Sequence, residues 1–338
     1  MAEVSIAILG LKRVGTSLGL ALKQYNKRGG DNTFKITGYD ATSKNTKAAK
    51  EMKAVDKITN RANGVARDQD IVVIVLPYGE VEGAYEMIAA DMRPGAVVID
   101  MSPLPQSSLD VAAKHLREGV HVVCAAPILG REYFFDGVDE TTRASDDLFR
   151  NGTMMLMPGV KCVKEAVSLA ADLSKIVGAE PNFCDAAEYQ ALVAGMEAFP
   201  ALLGALVFYQ FSNSGGWENT QQFTNPSFAM LTRHLFDTHP DDLRDLCLDS
   251  GPALLNHIDG LISNLKEARA LIAEKDTVAL GGVLESTSEN YEQWINRRMT
   301  GQWDDSRSKQ YDMVKKSSMM GNMFGSAFGR GRGDSEDN

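Results

Sequence analysis

The chain has 338 residues, 44% of them apolar, and its 45 acidic against 35 basic side chains leave a formal charge of −10. That length suits about two domains with buried cores and excludes disordered, collagen-like and miniprotein classes. The acidic balance argues against nucleic acid as a partner, because neutralising phosphates takes clustered Lys and Arg; a small-molecule ligand is expected instead.

The amino-terminal stretch MAEVSIAILG has no basic region before a short apolar run, so neither a signal peptide nor a membrane span is expected. Short β-rich runs at 4–9, 34–39, 71–76, 96–100, 121–125 and 153–157 then alternate with helical patterns. This alternation predicts an α/β fold with a doubly wound parallel sheet of the Rossmann type. The run 71–76, IVVIVL, lacks polar alternation, as a central strand covered on both faces does, and Pro77 ends it.

From about Asp185 the β-rich runs stop. Residues 186–211 are apolar on most sides, interrupted mainly by Glu188, Gln190, Glu197 and Pro200, which predicts a helix buried between domains or subunits. Over 253–271, Leu254, Ile258, Leu261, Ile262 and Leu265 repeat at helical spacing, and the second domain reads as all-α. The expected division is a dinucleotide-binding domain over 1–184, an all-α substrate and dimerisation domain over 185–314, and a disordered tail over 315–338 with little periodic apolar content. Cys124, Cys162, Cys184 and Cys247 stand singly, with no C-x-x-C pair and no histidine at ligand spacing. Neither disulfide nor metal site is expected, and a cytoplasmic location is.

The strongest chemical signal comes first in the chain. The strand at 4–9 runs into Gly10, Leu11, Lys12, Arg13, Val14 and Gly15 and then directly into a helical stretch. Strand, glycine turn and helix start together make an anion site, because the unpaired amides of the helix's first turn point at a pyrophosphate. The fingerprint G-x-G-x-x-G has glycine where this chain has Lys12, which either supplies a cation to the phosphates or crowds them. Asp40, ending the second strand, is placed to accept from an adenosine ribose and to repel a 2′-phosphate, favouring NAD; Lys44 and Lys47 leave NADP open. Ligands bind beyond the carboxyl ends of parallel strands, so Leu76, Pro77, Ser102 and Pro127 are further cleft candidates. Ser102 is the best-placed hydroxyl there, or a local cap before Pro103.

The segment at 10–22, GLKRVGTSLGLAL, resembles the opening of prephenate and arogenate dehydrogenases, whose signature reads roughly GLGLIGGSLALAL. The resemblance implies a Rossmann domain followed by a helical domain of the 6-phosphogluconate dehydrogenase C-terminal-like kind that pairs two subunits. The family's His-Pro-Met-x-Gly segment corresponds to Ala126, Pro127, Ile128, Leu129 and Gly130, with alanine for histidine. Its Ser-His-Leu-Pro motif corresponds to Glu197, Ala198, Phe199 and Pro200, so both family histidines are missing. The arginine that binds the substrate carboxylate in relatives falls near Gln222. A second resemblance, to β-hydroxyacid dehydrogenases, rests on Asp100, Met101, Ser102, Pro103, Leu104 and Pro105 and on Ala126 with Pro127. The catalytic lysine of that family has no counterpart in the lysine-free stretch 185–211.

The expectation is an NAD(P)-dependent dehydrogenase moving hydride between nicotinamide and a small carboxylate-bearing substrate. Ser102 and Glu197 are its candidate catalytic residues; Pro127, Glu188, Gln190 and Gln222 are candidates for binding substrate. Glu197 stands out because a carboxylate inside an apolar helix must be paired, protonated or facing water. Loss of the histidines makes activity on prephenate itself doubtful. The alternatives are a β-hydroxyacid dehydrogenase-like reductase and a catalytically retired, dimeric cofactor-binding module.

Overall fold

The structure, a computed structural model, describes residues 2–59 and 64–303. The expected tail at 315–338 and the last residues of the expected helical domain lie outside the described residues. Eight strands form one sheet: β1 (Ala2–Leu9), β2 (Asn32–Tyr39), β3 (Lys57–Ile58), β4 (Ile71–Ile74), β5 (Val97–Asp100), β6 (His121–Ile128), β7 (Thr153–Pro158) and β8 (Glu180–Phe183), in the order β3-β2-β1-β4-β5-β6-β7-β8. In β1, Ile6 lies opposite Ile36 on one side and Ile71 on the other. The strand order reverses at β1, which is where open α/β sheets bind ligands.

Five helices cover the two faces: α1 (Arg13–Lys27), α2 (Ser43–Glu51), α3 (Tyr78–Ala89), α4 (Pro105–His115) and α5 (Lys164–Ile176). Successive strand side chains point to opposite faces, so Ile6 and Ile8 enter one core with α1 and α5, and Ala7 and Leu9 the other with α3 and α4. All four residues of β4 are buried, as the unbroken apolar run requires. Each large side chain so buried contributes about 1.5–3 kcal/mol.

Two features depart from the expected all-parallel sheet. β6 and β7 pair antiparallel, with Ala125 opposite Leu156. The connection at 129–152 contains only two short 3-10 turns, Arg131–Tyr133 and Thr141–Arg143, instead of a crossover helix. Without a helix to carry it back along the sheet, the chain returns at the same end and pairs antiparallel. β3 and β8 were also absent from the strand pattern, being short and, in β8, carrying Pro181 and Asn182.

After β8 every described element is helical: α6 (Ala186–Val193), a π turn (Ala194–Ala198), α7 (Phe199–Ser212), α8 (Trp217–Thr220), α9 (Pro226–Thr232), α10 (His234–Asp237), α11 (Pro240–Asp249), α12 (Gly251–Glu274) and α13 (Thr277–Thr300). The Asp185 side chain accepts from the amides of Ala187 and Glu188, which fixes the start of α6. The single helix expected at 186–211 is interrupted by the π turn just before Pro200. Proline has no N–H for the preceding turn and its ring crowds a regular one, so a widened turn lets the helix run through it.

The described residues divide into two compact units, with the break between Leu265 and Lys266. Within the first, Ala194 and Ala198 pack on Leu254, with Phe199, Leu202, Leu246 and Ile258 around them. That covers one side of the long helix. Met196, Leu206, Tyr209 and Phe211 on other sides are exposed, so this chain alone does not bury the helix as its composition predicts.

Candidate active site at the carboxyl ends of β1, β4 and β6

Two glycines shape the turn after β1. Gly10 has φ +98, and a Cβ there would lie 2.0 Å from the Val75 carbonyl oxygen; a Cβ on Gly15 would lie 1.9 Å from that of Gly10. No other residue fits at either position. Lys12 has an extended backbone, φ −69 and ψ −164, which any residue adopts, and it ends up as the N-cap of α1 with no side-chain cap. The amides of Arg13 and Val14 have no hydrogen-bond partner among the described residues. They are donors of the kind a diphosphate accepts from.

Asp40 closes the other side of the turn. Its carboxylate accepts from the amides of Leu11 and Thr42, both at 2.7 Å, and from Asn45 Nδ2. Asn45 Nδ2 reaches both oxygens, at 3.2 and 3.3 Å, so each already accepts two bonds, of which the Asn45 ones are the long, weak members. Thr16 Oγ1 donates to the Leu11 carbonyl at 2.8 Å, so the loop is braced from inside the helix as well.

The connection between β6 and β7 lies as a strap over this loop. Arg13, 4% exposed, donates through Nη1 to the carbonyls of Asp136 (2.9 Å) and Val138 (2.8 Å) and through Nη2 to Asp136 Oδ2 (3.0 Å). Its guanidinium also sits over the Tyr133 ring, 5.4 Å from the centroid. Desolvation opposes the Asp136 charge, but the Arg13 hydrogen bond and charge outweigh it and hold the carboxyl below its ordinary range. Thr141 Oγ1 bonds the Leu11 carbonyl (2.9 Å), the Ser145 amide donates to Ser17 Oγ (3.0 Å), and Lys12 Nζ lies 3.8 Å from Asp139 Oδ2. Arg13 therefore directs its side chain into the strap. Nothing local in the sequence signals these pairings, whose partners stand more than a hundred residues apart.

Ser102 also has an occupation the sequence did not show. It is 4% exposed; its amide and its hydroxyl both bond Asp100 Oδ1, and its Oγ lies 2.8 Å from that of Ser108. Asp100 is fully buried and accepts from Tyr85 Oη at 2.7 Å as well. Burial pushes the Asp100 carboxyl up against the pull of those donors. The hydroxyl is thus bound to the turn that shapes the end of β5, the geometry of the local cap before Pro103.

Gln190 bridges elements. Its Oε1 accepts from the amides of Gln106 (3.0 Å) and Ser107 (3.3 Å) at the start of α4, and its Nε2 donates to Ser107 Oγ and the Asp249 carbonyl. Those bonds satisfy helix-start amides of α4 and tie them to α6. Tyr78 joins the same junction: burial first, then the hydrogen bond to Asp249, pushes its phenol up to about 12. Leu76 follows β4 and Pro77 is the N-cap of α3, so both lie beside the glycine turn, where Gly10 approaches Val75.

Beyond β6, Ala126 and Tyr189 pack on the same small core of Cys124, Met157 and Ala186. Glu197 stands in the π turn, where solvent reaches it although protein crowds its carboxyl, and desolvation raises its pKa. Tyr189 is pushed up to about 12 by burial and then by the charges of Glu197 and Cys184. His257 reaches the same turn: its ring is 5.7 Å from that of Phe199, and a Cβ on Gly195 would lie 2.7 Å from its Nε2. Pro127 continues β6 opposite Met154. Glu188 is exposed and accepts from Cys184 Sγ at 3.7 Å. Gln222 is exposed in a 3-10 turn and bonds only Asn219 among the described residues, away from the groups just described in its contacts. Tyr78, Tyr189 and His257 were legible as residue types but not as partners. No group of three or more metal-ligating side chains occurs among the described residues.

Residues 18–182 match the family described as prephenate dehydrogenase, nucleotide-binding domain, a span that begins just after the divergent glycine turn. By that match the chain resembles the prephenate dehydrogenases, from which it diverges widely. It is 23% identical over 273 residues to the cyclohexadienyl dehydrogenase of Zymomonas mobilis, covering 80% of this chain and 89% of that one. It is likewise 23% identical over 301 residues to the prephenate dehydrogenase of Bacillus subtilis, covering 88% and 77%. Among solved structures, that of the Aquifex aeolicus prephenate dehydrogenase in complex with hydroxyphenyl propionate and NAD+ superposes with TM-score 0.73 at 18% identity, over 87% of this chain and 99% of that one. The prephenate dehydrogenase-like fold is therefore shared beyond the amino-terminal domain, and the homologues are dehydrogenases.

Proposed function

We propose that this prephenate dehydrogenase-like protein is an NAD(P)-dependent oxidoreductase, selective for NAD, that acts on a small carboxylate-bearing substrate. The observation that carries the reading is the turn at 10–15: two obligatory glycines, two unpartnered first-turn amides and the Asp40 carboxylate converge at the switch point of the sheet. The loop amides and Lys12 would hold the diphosphate, Asp40 a ribose hydroxyl pair, and Leu76 and Pro77 the cofactor's further course. When bound, the nicotinamide supplies a hydride donor or acceptor.

This chain's own chemistry then centres on Tyr189, packed with Ala126 where the family resemblance places a histidine, and on Glu197, whose charge reaches Tyr189. A carboxyl with a raised pKa is suited to exchange a proton at a substrate hydroxyl near neutral pH. Asp100, Ser102 and Gln190 hold the ends of β5 and α4 in place. Titration of intrinsic fluorescence with NADH and NADPH tests the cofactor reading. NADH should bind at least about tenfold more tightly, the cost of roughly one unpaired charge contact; no binding of either at millimolar concentration would sink it.

A second reading is favoured by Ala126, Ala198 and the exposed Gln222: a retired enzyme that binds cofactor and no longer turns over. Cofactor binding without turnover across a panel of prephenate, arogenate and 3-hydroxy acids would support it, and would also remove the β-hydroxyacid reductase alternative.

The exposed apolar side chains of α7 and α12, among them Leu206, Tyr209, Leu255 and Ile262, favour a homodimer built through the helical region. The run Ala186–Ser212 is long and apolar enough to cross a membrane by composition, but its packing on α11 and α12 and the Glu197 carboxylate suit a subunit interface better. Sedimentation equilibrium should show a dimer at micromolar concentration; a monomer there would contradict it. Four free thiols suit the reducing cytoplasm to which we assign the protein.

A further inference from the structure

The side chain of Lys12 is the unusual part of the phosphate loop, since its backbone conformation needs no glycine. Its ammonium is half-exposed, 3.8 Å from Asp139 on the strap. Carboxylates surround it on other elements too. Glu80 of α3 is pushed up by burial, then by the charges of Asp242 and Asp40, while Lys12 opposes the shift. Asp242 of α11 is pushed up by burial, with His239 and Lys12 opposing and Asp245 and Asp241 adding to it. Lys12 thus stands among carboxylates at the position where a dianionic diphosphate has to sit.

The strap fixes the backbone on both sides of Asp139. On one side of Asp139 the Asp136 and Val138 carbonyls are held by Arg13; on the other, Thr141 bonds the Leu11 carbonyl. An ion pair in which both partners are nearly half exposed is worth about 0–1 kcal/mol, so it exchanges readily for a stronger anion.

Resting on the nucleotide-binding reading above, we propose that Lys12 is the phosphate-binding cation of this site and that Asp139 is a built-in competing anion, displaced from Lys12 by the dinucleotide diphosphate. In the usual loop a glycine allows backbone approach; here a side chain supplies charge instead, and the strap sets how tightly the nucleotide is held. The acidic rim makes that charge necessary, because two unscreened phosphate charges would otherwise meet Asp40, Glu80 and Asp242 with only amide dipoles to offset them.

The test is NADH, ADP and adenosine titration of the full-length protein and of Lys12→Ala, Lys12→Gly, Asp139→Asn and the Lys12→Ala/Asp139→Asn double variant, with thermal melts confirming that each is folded. Asp139→Asn should bind NADH and ADP up to about fivefold more tightly, the measure of a released surface pair. Lys12→Ala and Lys12→Gly should weaken both by about tenfold, as loss of a charge-assisted bond does. Adenosine, which lacks phosphate, should bind all variants alike, and Asp139→Asn should bring no gain when Lys12 is already alanine. Wild-type binding accompanied by equal or tighter binding to Lys12→Gly overturns this inference alone, since Lys12 then only crowds the loop. Failure of every variant, wild type included, to bind NADH or ADP at millimolar concentration overturns the nucleotide reading and this inference with it.

Discussion

Arg13→Ala is expected to lower the stability of the protein by roughly 3 kcal/mol, at the low end for a broken buried ion pair. The arginine is 4% exposed and satisfies two strap carbonyls and the Asp136 carboxylate at once. Removing it leaves those part-buried acceptors without their donor and takes the Tyr133 ring's cation with it. Arg143 still reaches Asp136 at 3.2 Å and that carboxylate is a quarter exposed, which keeps the loss from being larger. For a chain of this size the melting temperature should fall by about 4 °C, with new proteolytic cleavage within 130–145; an unchanged melt and an uncut strap would refute the assignment.

The same pair has a defined pH signature. Asp136 has a folded-state pKa below its unfolded one, so its contribution is present above the ordinary carboxylate range and disappears as pH falls through the depressed value. The wild-type melt should therefore lose stability in acid that Arg13→Ala has already lost.

Glu197→Gln is expected to reduce turnover by about 100- to 10,000-fold, the usual consequence of losing a general acid or base. Gln keeps the size and hydrogen-bonding character of the side chain, so cofactor affinity should stay as it is. Desolvation raises the Glu197 pKa, which moves the acid limb of the pH–rate profile above the range of an ordinary glutamate; as a base the group becomes competent when pH rises through that value. The limb should vanish in the variant. Stability should move the other way. A carboxyl whose folded pKa lies above its unfolded pKa binds more protons when folded, so stability declines as pH rises between the two values. Above that window Glu197→Gln should melt higher than wild type, the mark of a group kept for function at a cost to stability. Full turnover in Glu197→Gln with an unchanged acid limb would refute its role, and full turnover in Tyr189→Phe would confine the chemistry to the carboxylate.

How far the sequence reached depends on the distance over which each feature is decided. β1, the glycine turn and the start of α1 were legible because each is local: a β-branched run, two positions that tolerate only glycine, and a helix-forming stretch directly behind them. The unbroken apolar run of β4 likewise predicted a central strand, since both of its faces must be covered. Glu197 was legible as an anomaly, a charge in an apolar helix, although the π turn that presents it was not.

The remaining features were settled by contacts between distant parts of the chain. The antiparallel return of β7 follows from a connection that forms no helix, and periodicity in the strands themselves does not report the direction of their neighbours. Ser102 read as a cleft hydroxyl or a local cap with nothing to choose between them, because Tyr85 and Ser108, with which it encloses Asp100, are placed against it only when α3 and α4 pack on the sheet. The carboxylates that Arg13 and Lys12 meet were not legible because they lie on a strap well over a hundred residues away. The sequence by itself determined the Rossmann frame, the glycine turn and the Asp40 position, all fixed by short-range backbone sterics and side-chain period. Only the tertiary structure decided which charges at that turn are already paired, because pairing depends on which loop the folded sheet brings above it.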